Sequence, residues 1–277
     1  MHTAPRIALN NAVMMDTLGY GVYKVPPADT ARLCALALDA GYRTLDTASL
    51  YGNESGVGQA VAETLAGATV REDIFVTTKL WNSDHGYRRT HEAFAASKAL
   101  LGLDYVDLYL IHWPCRGKGL VRETYRALEE LYRAGEVRAI GVSNFLQQDL
   151  EQLLEHADVV PAVNQVEVHP YLQQEDLRAF HDRHGITTQA WSPLGRGAVL
   201  DDPVIGRIAA ELGRSPAQVI LRWHQQQGVP AIPKASTAAR IAENFTIFGF
   251  ELTAEQLAAI ASLERGQRFG SHPAEVN

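Results

Sequence analysis

Asp46, Lys79 and His112 follow one another at an interval of 33 residues, and Tyr51 stands five residues beyond the first of them. An acid, a phenol, a lysine and an imidazole brought together can move a proton. A phenol has an ordinary pKa of about 10, too weak an acid to be poised near neutrality. An ammonium beside it favours the phenolate and lowers that value, while a carboxylate pairs with and orients the ammonium. A neutral imidazole can hydrogen-bond the oxygen of a carbonyl. The set suits polarising a C=O and delivering a proton to it as charge develops on oxygen. None of the four is a nucleophile, so the group that attacks carbon must come from outside, and a hydride from a nicotinamide is the obvious candidate. Taken alone, Asp46 and Tyr51 read better as a turn cap and a packing residue; the repeated interval is what shifts the weight.

That interval is about one strand plus one helix, and each of the three residues falls at the C-terminal end of a predicted strand. In a closed α/β barrel such strand ends lie side by side on one face, with Tyr51 on the loop between the first two. The strands are expected at Leu18–Tyr23, Tyr42–Asp46, Ile74–Lys79, Val106–Ile111, Ala139–Val142, Val163–Glu167, Thr187–Ala190 and Val229–Ile232. Helices are expected from Asp29 or Thr30 to Gly41, then at Glu54–Leu65, Tyr87–Leu101, Val121–Ala134, Leu150–His156, Gln174–His184, Pro203–Leu212, Pro216–Gln227 and Ala238–Phe245. An extra helix at Thr253–Leu263 opens on a Thr-x-x-Gln capping pattern. A small hairpin turning at Asn10-Asn11 closes one end, and an irregular tail runs from Arg265 to Asn277. Eight alternations with no linker or composition shift predict an α/β fold, a single (β/α)8 TIM barrel occupying residues 1–277 as one domain.

The 277 residues are 46% apolar and 21% charged, ordinary for a chain with a large core, and one such barrel uses nearly all of them. A net charge of −7 argues against broad binding to nucleic acid or anionic membranes. No apolar run approaches a membrane span, and the N-terminus lacks the basic and apolar regions of a secretory signal. Cys34 and Cys115 have no metal-type spacing and read as two reduced thiols in a cytoplasmic protein, and a monomer is expected.

The later strand ends carry groups suited to a cofactor. Ser143, Asn144 and Gln165 could hydrogen-bond a carboxamide, and the indole of Trp191 could stack on a nicotinamide ring. The loop Ser192-Pro193-Leu194-Gly195-Arg196-Gly197 offers N–H groups and a cation to a pyrophosphate. Ile232-Pro233-Lys234 with Ser236, Thr237 and Arg240 supplies cations and donors to a phosphate, though a helix start with solvated basic residues reads as well. His2, His85, His91, His156, His181, His184, His224 and His272 fall in no pattern and read as surface or packing residues.

With L-D-T-A-x-x-Y-G-N-E around Asp46 and Tyr51, T-T-K-L-W at Lys79, L-I-H-W-P at His112, G-V-S-N-F at Ser143 and I-P-K-A-S-T-A-A-R-I-A-E-N from Ile232, the chain resembles the aldo-keto reductases over essentially its whole length. The resemblance implies NADPH-dependent reduction of aldehydes and ketones without a Rossmann fold. Tyr51 would be the general acid/base, tuned by Lys79 and Asp46, with His112 orienting the carbonyl. It places the 2′-phosphate near Lys234, Ser236, Thr237 and Arg240, and the adenine near Glu243 and Asn244. Ala235 stands where many members carry a serine, which weakens the preference over NADH without removing it. Trp191, the short tail and its S-H-P-A-E-V-N ending resemble most the bacterial 2,5-diketo-D-gluconate reductase subgroup. By the same resemblance Tyr23, Trp81, His112 and Trp113 would line the substrate pocket, with the tail from Arg268 to Pro273 as a rim. Two other readings compete: a catalytically silent NADP(H)-binding regulatory subunit of the same fold, and a metal-dependent barrel hydrolase using Asp46, His112, Glu167 and His169. The second leaves Tyr51 and Lys79 unexplained, and no metal is expected.

Overall fold

A computed structural model describes residues 4–277, so His2 lies outside the described residues. The hairpin pairs β1 (Arg6–Ala8) antiparallel with β2 (Met14–Asp16). Its turn is pinned where Asn11 Oδ1 accepts the Val13 N–H at 3.2 Å and Ala12 takes a left-handed φ of 65°. Met15 from this hairpin is buried with Leu9, Phe75, Leu108, Leu110, Ala139, Ala162 and Val163, and this apolar plug fills the floor of the barrel.

Seven parallel strands come next, each hydrogen-bonded to its successor: β3 (Tyr20–Gly21), β4 (Thr44–Asp46), β5 (Phe75–Leu80), β6 (Val106–Ile111), β7 (Val137–Ser143), β8 (Val163–Glu167) and β9 (Thr187–Trp191). The stretch expected as an eighth strand, Val229–Ile232, is reduced to a bridge residue. Ala231 pairs with Leu18 on one side and Ala190 on the other. Pro230 and Pro233 remove the N–H groups that a longer ladder needs. Closure is nonetheless made: the Gly19 N–H donates to Ala231 at 2.9 Å, Ala231 to Thr17 at 3.0 Å and Ile232 to Ala190 at 3.1 Å.

Around the strands lie α1 (Pro27–Ala40), α2 (Glu54–Leu65), α3 (Tyr87–Leu101), α4 (Val121–Arg133), α5 (Gln147–Leu154), α6 (Glu175–Arg183), α7 (Pro203–Leu212), α8 (Pro216–Gln226), α9 (Ala238–Phe245) and α10 (Ala254–Ala261). Helix α1 starts two residues before Asp29, because Pro27 at the first helical position already has the required φ. Thr30 is no cap: its hydroxyl donates to the Pro26 carbonyl at 2.9 Å. Helix α5 starts at Gln147, three residues before Leu150, since the Asp149 carboxylate accepts the Leu146 N–H at 2.8 Å. Gly41 ends α1 in the left-handed region at φ 113°. No helix among the described residues is long and apolar enough to cross a membrane. Cys34 and Cys115 are both buried and unpaired.

Strand register decides which polar side chains meet inside the barrel. Asp46 pairs with Thr77, so Lys79 sits two residues further along β5 with its side chain on the same inward face. Ser143 pairs with Gln165, and Gln165 with Gln189, which stacks their inward side chains in one layer.

Candidate active site

The register delivers Lys79 onto Asp46. Nζ lies 2.6 Å from Asp46 Oδ1 and donates to the Thr47 carbonyl at 2.9 Å. The lysine has no exposed surface. The second Asp46 oxygen accepts from Gln165 Nε2 at 2.7 Å, a contact across the barrel interior, and the other Gln165 N–H goes to Gln189 at 2.8 Å. Burial pulls the ammonium below its ordinary pKa, while Asp46 and then Glu54 pull it back.

Tyr51 closes a single 3₁₀ turn, Ser49–Tyr51, directly after β4. The turn is tied down where Ser49 Oγ donates to the Lys79 carbonyl at 3.0 Å. Asn53 fastens its far end, accepting from Thr47 at 2.8 Å and donating to the carbonyls of Val22 at 3.0 Å and Val25 at 3.2 Å. Asn53 thus fixes the Tyr51 loop against the Tyr23 loop while opening α2 only by backbone position. The Lys79 ammonium stands 5.2 Å from the Tyr51 ring centre. The expected lowering of the phenol pKa is overturned: burial, then Asp46 and Tyr23, hold the Tyr51 hydroxyl well above 10. The ring is half-buried and lines the cavity.

His112 follows β6, its N–H donating to Leu80 at 3.1 Å. Its ring meets Tyr51 edge-on at 5.7 Å and Trp81 at 5.2 Å, and stacks parallel to Trp113 at 6.4 Å. Burial and the Lys79 charge keep the imidazole well below 6.5, hence neutral. Nδ1 is buried with no partner among the described residues, which leaves Nε2 as the nitrogen that can meet a ligand.

These groups open into a cavity of about 920 Å³, within the range of small-molecule sites. Tyr23, Leu50, Tyr51, Trp81, His112 and Trp113 form an aromatic end. Arg196, Lys234 and Arg240 line the other end, all exposed and, among the described residues, in no ion pair. Among the described residues, four of the seven non-glycine residues with left-handed φ line this cavity (Lys24, Asn144, Ser192 and Arg196), and such strain gathers where a loop must hold a special shape.

Most of the predicted site residues arrive here: Ser143, Asn144, Gln165, Trp191, Ser192, Leu194, Arg196, Lys234, Ser236, Arg240, Glu243 and Asn244 all line the cavity. Thr237 does not. Its hydroxyl is the α9 cap and accepts the Arg240 N–H at 3.3 Å. Lys79 is also absent from the wall, its ammonium hydrogen-bonded to Asp46 and Thr47 behind it. Asn144 is more committed than expected: it donates to His112 at 2.9 Å and Ser143 at 3.1 Å, and accepts from Trp191 Nε1 at 2.8 Å. Of the tail predicted as a rim, Ser271 lines the cavity, joined by the unpredicted Val276. Leu50, Asp201 and the start of α8, Ser215 to Ala217, were also missed. Their types are those of any loop, and only the closed barrel brings them to the mouth.

Asp46, His112, Glu167 and His169 are not assembled as ligands. Asp46 is spent on Lys79 and Gln165, and Glu167 holds the tail and His169. Among the described residues no three His, Cys, Asp or Glu side chains could hold a metal ion.

The family model described as "Aldo/keto reductase family" matches residues 15–265, nearly the whole chain. The chain belongs to that family. It is 50% identical over 274 residues to an aldo-keto reductase of Mycolicibacterium smegmatis, covering 99% of this chain and 98% of the relative. A glyoxal reductase of Bacillus subtilis is 47% identical over 271 residues, covering 98% and 96%. Among solved structures, a variant of the protein Gox0644 in complex with NADPH superposes with a TM-score of 0.95 at 43% identity, covering 100% of both chains. As an aldo-keto reductase the chain is an oxidoreductase acting on carbonyls.

Proposed function

We propose that the protein reduces small aldehydes and ketones with NADPH, with Tyr51 as proton donor. The reading rests above all on one observation, the buried chain Gln165–Asp46–Lys79 set beneath a half-buried tyrosine and beside a neutral histidine. The residues at the other end of the cavity fit the cofactor. Among the described residues Lys234 and Arg240 form no ion pair, in a chain whose net charge is −7, and free cations suit a phosphate ester. Ser236 stands beside them, its Oγ 3.2 Å from Lys234 Nζ. Arg196 and the N–H groups of its loop suit the pyrophosphate, and Asn144 holds the Trp191 indole as a flat wall for the nicotinamide. The free acceptor atom of Gln165 is its amide carbonyl, which suits the N–H of a carboxamide. Glu243 and Asn244 remain for the adenine.

When bound, the cofactor supplies hydride to the carbonyl carbon. His112 holds the carbonyl oxygen through Nε2–H, the tautomer favoured because Nδ1 faces no acceptor. Tyr51 donates its proton to that same oxygen as negative charge grows there. Lys79 stays charged through Asp46 and offsets the charge left on the phenolate. Trp81 and Trp113 exclude water from the reacting carbonyl and favour compact substrates. The glyoxal reductase relative supports a small dicarbonyl as the substrate class, with the keto-sugar 2,5-diketo-D-gluconate as a candidate within it.

A panel of aldehydes, ketones, dicarbonyls and keto-sugars, assayed with NADPH and NADH by loss of reduced-nicotinamide absorbance, tests this. Tyr51→Phe is expected to lose at least about a hundredfold in kcat while still binding NADPH. Unchanged turnover in that variant would remove Tyr51 from the reaction, whereas a parent protein that binds NADPH but reduces no carbonyl would leave the silent-subunit reading standing.

A further inference from the structure

Glu167 ends β8 at the barrel mouth, has no exposed surface and takes no part in the proton-transfer set. Its carboxylate collects the tail instead. Oε1 accepts the Phe269 N–H at 2.7 Å, and the Gly270 N–H lies 3.1 Å from both oxygens. The Arg268 guanidinium stands at 3.6 Å and a His169 ring nitrogen at 3.2 Å. Two successive backbone N–H groups converging on one anion form a nest like those that hold free anions. Here the anion is the protein's own side chain. Burial pushes this carboxyl up, and the hydrogen bonds from His169, Phe269 and Gly270 outweigh it, so the group stays ionised.

Gly270 shows what the clamp achieves. A Cβ built there would lie 2.2 Å from Cη2 of Trp191 and 3.0 Å from Oε2 of Glu167. The tail backbone therefore runs hard against the outer edge of the indole whose Nε1 is held by Asn144. Further on, Ser271 and Val276 line the cavity, and the terminal Asn277 accepts the Gly117 N–H at 2.8 Å. The tail crosses the mouth between two anchors, and the buried one is a charge.

We infer that Glu167 is a positioning residue: by clamping Arg268–Gly270 against Trp191 it fixes the wall on which the nicotinamide stacks and the rim that bounds the carbonyl substrate. This rests on the reductase reading above. Glu167→Gln keeps the size and one acceptor oxygen and removes the charge. KM for NADPH and for the carbonyl is expected to rise about tenfold, the loss of one charge-assisted hydrogen-bond cluster, with kcat unchanged. Without cofactor, the amides of Phe269 and Gly270 should exchange with solvent faster than in the parent. Gly270→Ala lies in the half-exposed tail and leaves the core intact, yet must displace the indole, so it should reproduce the rise in KM. Unchanged KM in both variants overturns the inference, as does a fall in kcat at constant KM or unaccelerated exchange in Glu167→Gln. If Glu167→Gln does not fold, unchanged KM in Gly270→Ala alone is decisive against it. A parent protein that oxidises no NADPH with any carbonyl sinks the reductase reading instead, and the exchange comparison still decides whether Glu167 holds the tail.

Discussion

A phenol packed into the protein beside a carboxylate holds its proton, and Tyr51 is in that position. The expectation from residue types alone was the opposite, since a nearby lysine favours the phenolate. Distance and partners decide between them: Lys79 directs its ammonium to Asp46 at 2.6 Å and Thr47 at 2.9 Å and meets only the face of the phenol ring. For a proton donor this is the useful direction. The competent form is the protonated one, fully populated below the phenol pKa and lost above it. Reductive kcat at saturating carbonyl is thus expected to stay flat through the neutral range and to decline only above about pH 10. A decline centred near neutrality would mean that Lys79 outweighs burial once ligands are bound. Asp46, Lys79 and His112 were legible from a 33-residue interval because the strand–helix units from β4 to β7 are equal in length, those strands starting at Thr44, Phe75, Val106 and Val137. Gln165 was legible only as a cofactor contact. Its bond to Asp46 joins residues 119 apart across the barrel, and no spacing rule reports on that.

Elements with strong local signals were readable to the residue. Helices α2, α3, α7 and α9 coincide with the ranges expected from helical spacing, the glycine that follows α3 and the proline that opens α7. Elements whose form depends on partners were not. Val229–Ile232 has strand composition, but Pro230 and Pro233 cut its ladder to one residue, and it closes the barrel only because β9 and the Leu18 segment already flank it. The turn into α9 shows two functions in one sequence pattern. Lys234 and Arg240 face the cavity, whereas Thr237 is bound to the helix start. Lys234→Ala and Arg240→Ala are each expected to raise KM for NADPH about tenfold and to leave KM for NADH nearly unchanged, since each removes a charge-assisted contact to a phosphate that only NADPH carries. Thr237→Ala in the same series should instead cost about 1 kcal/mol of stability with little change in either KM, the mark of a lost cap. A Thr237→Ala variant with a selective NADPH defect would return that residue to the site.

At the scale of the whole molecule, a barrel encloses polar side chains between its layers as well as in its mouth, and their protonation is coupled to folding. His181 was readable only as a residue without a motif. It is fully buried beneath β8 and β9, and its two nitrogens have distinct partners. Nε2 lies 2.9 Å from Asn164 Nδ2, a donor, and so accepts; Nδ1 lies 2.7 Å from Thr188 Oγ1 and so carries the hydrogen. That arrangement holds the ring neutral, and burial, with Arg178 and His184 nearby, lowers its pKa from 6.5 to about 4. In the unfolded chain the ring titrates near 6.5. Between those values the unfolded state binds the proton and the folded state does not, so the stabilisation is complete above pH 6.5 and is lost as pH falls toward 4. The loss amounts to roughly 3 kcal/mol. Asp16 and Asp107 work against this trend, because burial raises their folded pKa values and each gains stability as pH falls. Comparison with a variant cancels them. His181→Gln keeps a donor and an acceptor, and is expected to be less stable than the parent at pH 7. Its unfolding free energy, measured by denaturant titration at a series of pH values, should fall less steeply between pH 6.5 and 4, by up to about 1.4 kcal/mol per pH unit. Parallel curves for the two proteins would show that His181 takes up no proton on unfolding, and that its buried contacts are indifferent to its charge.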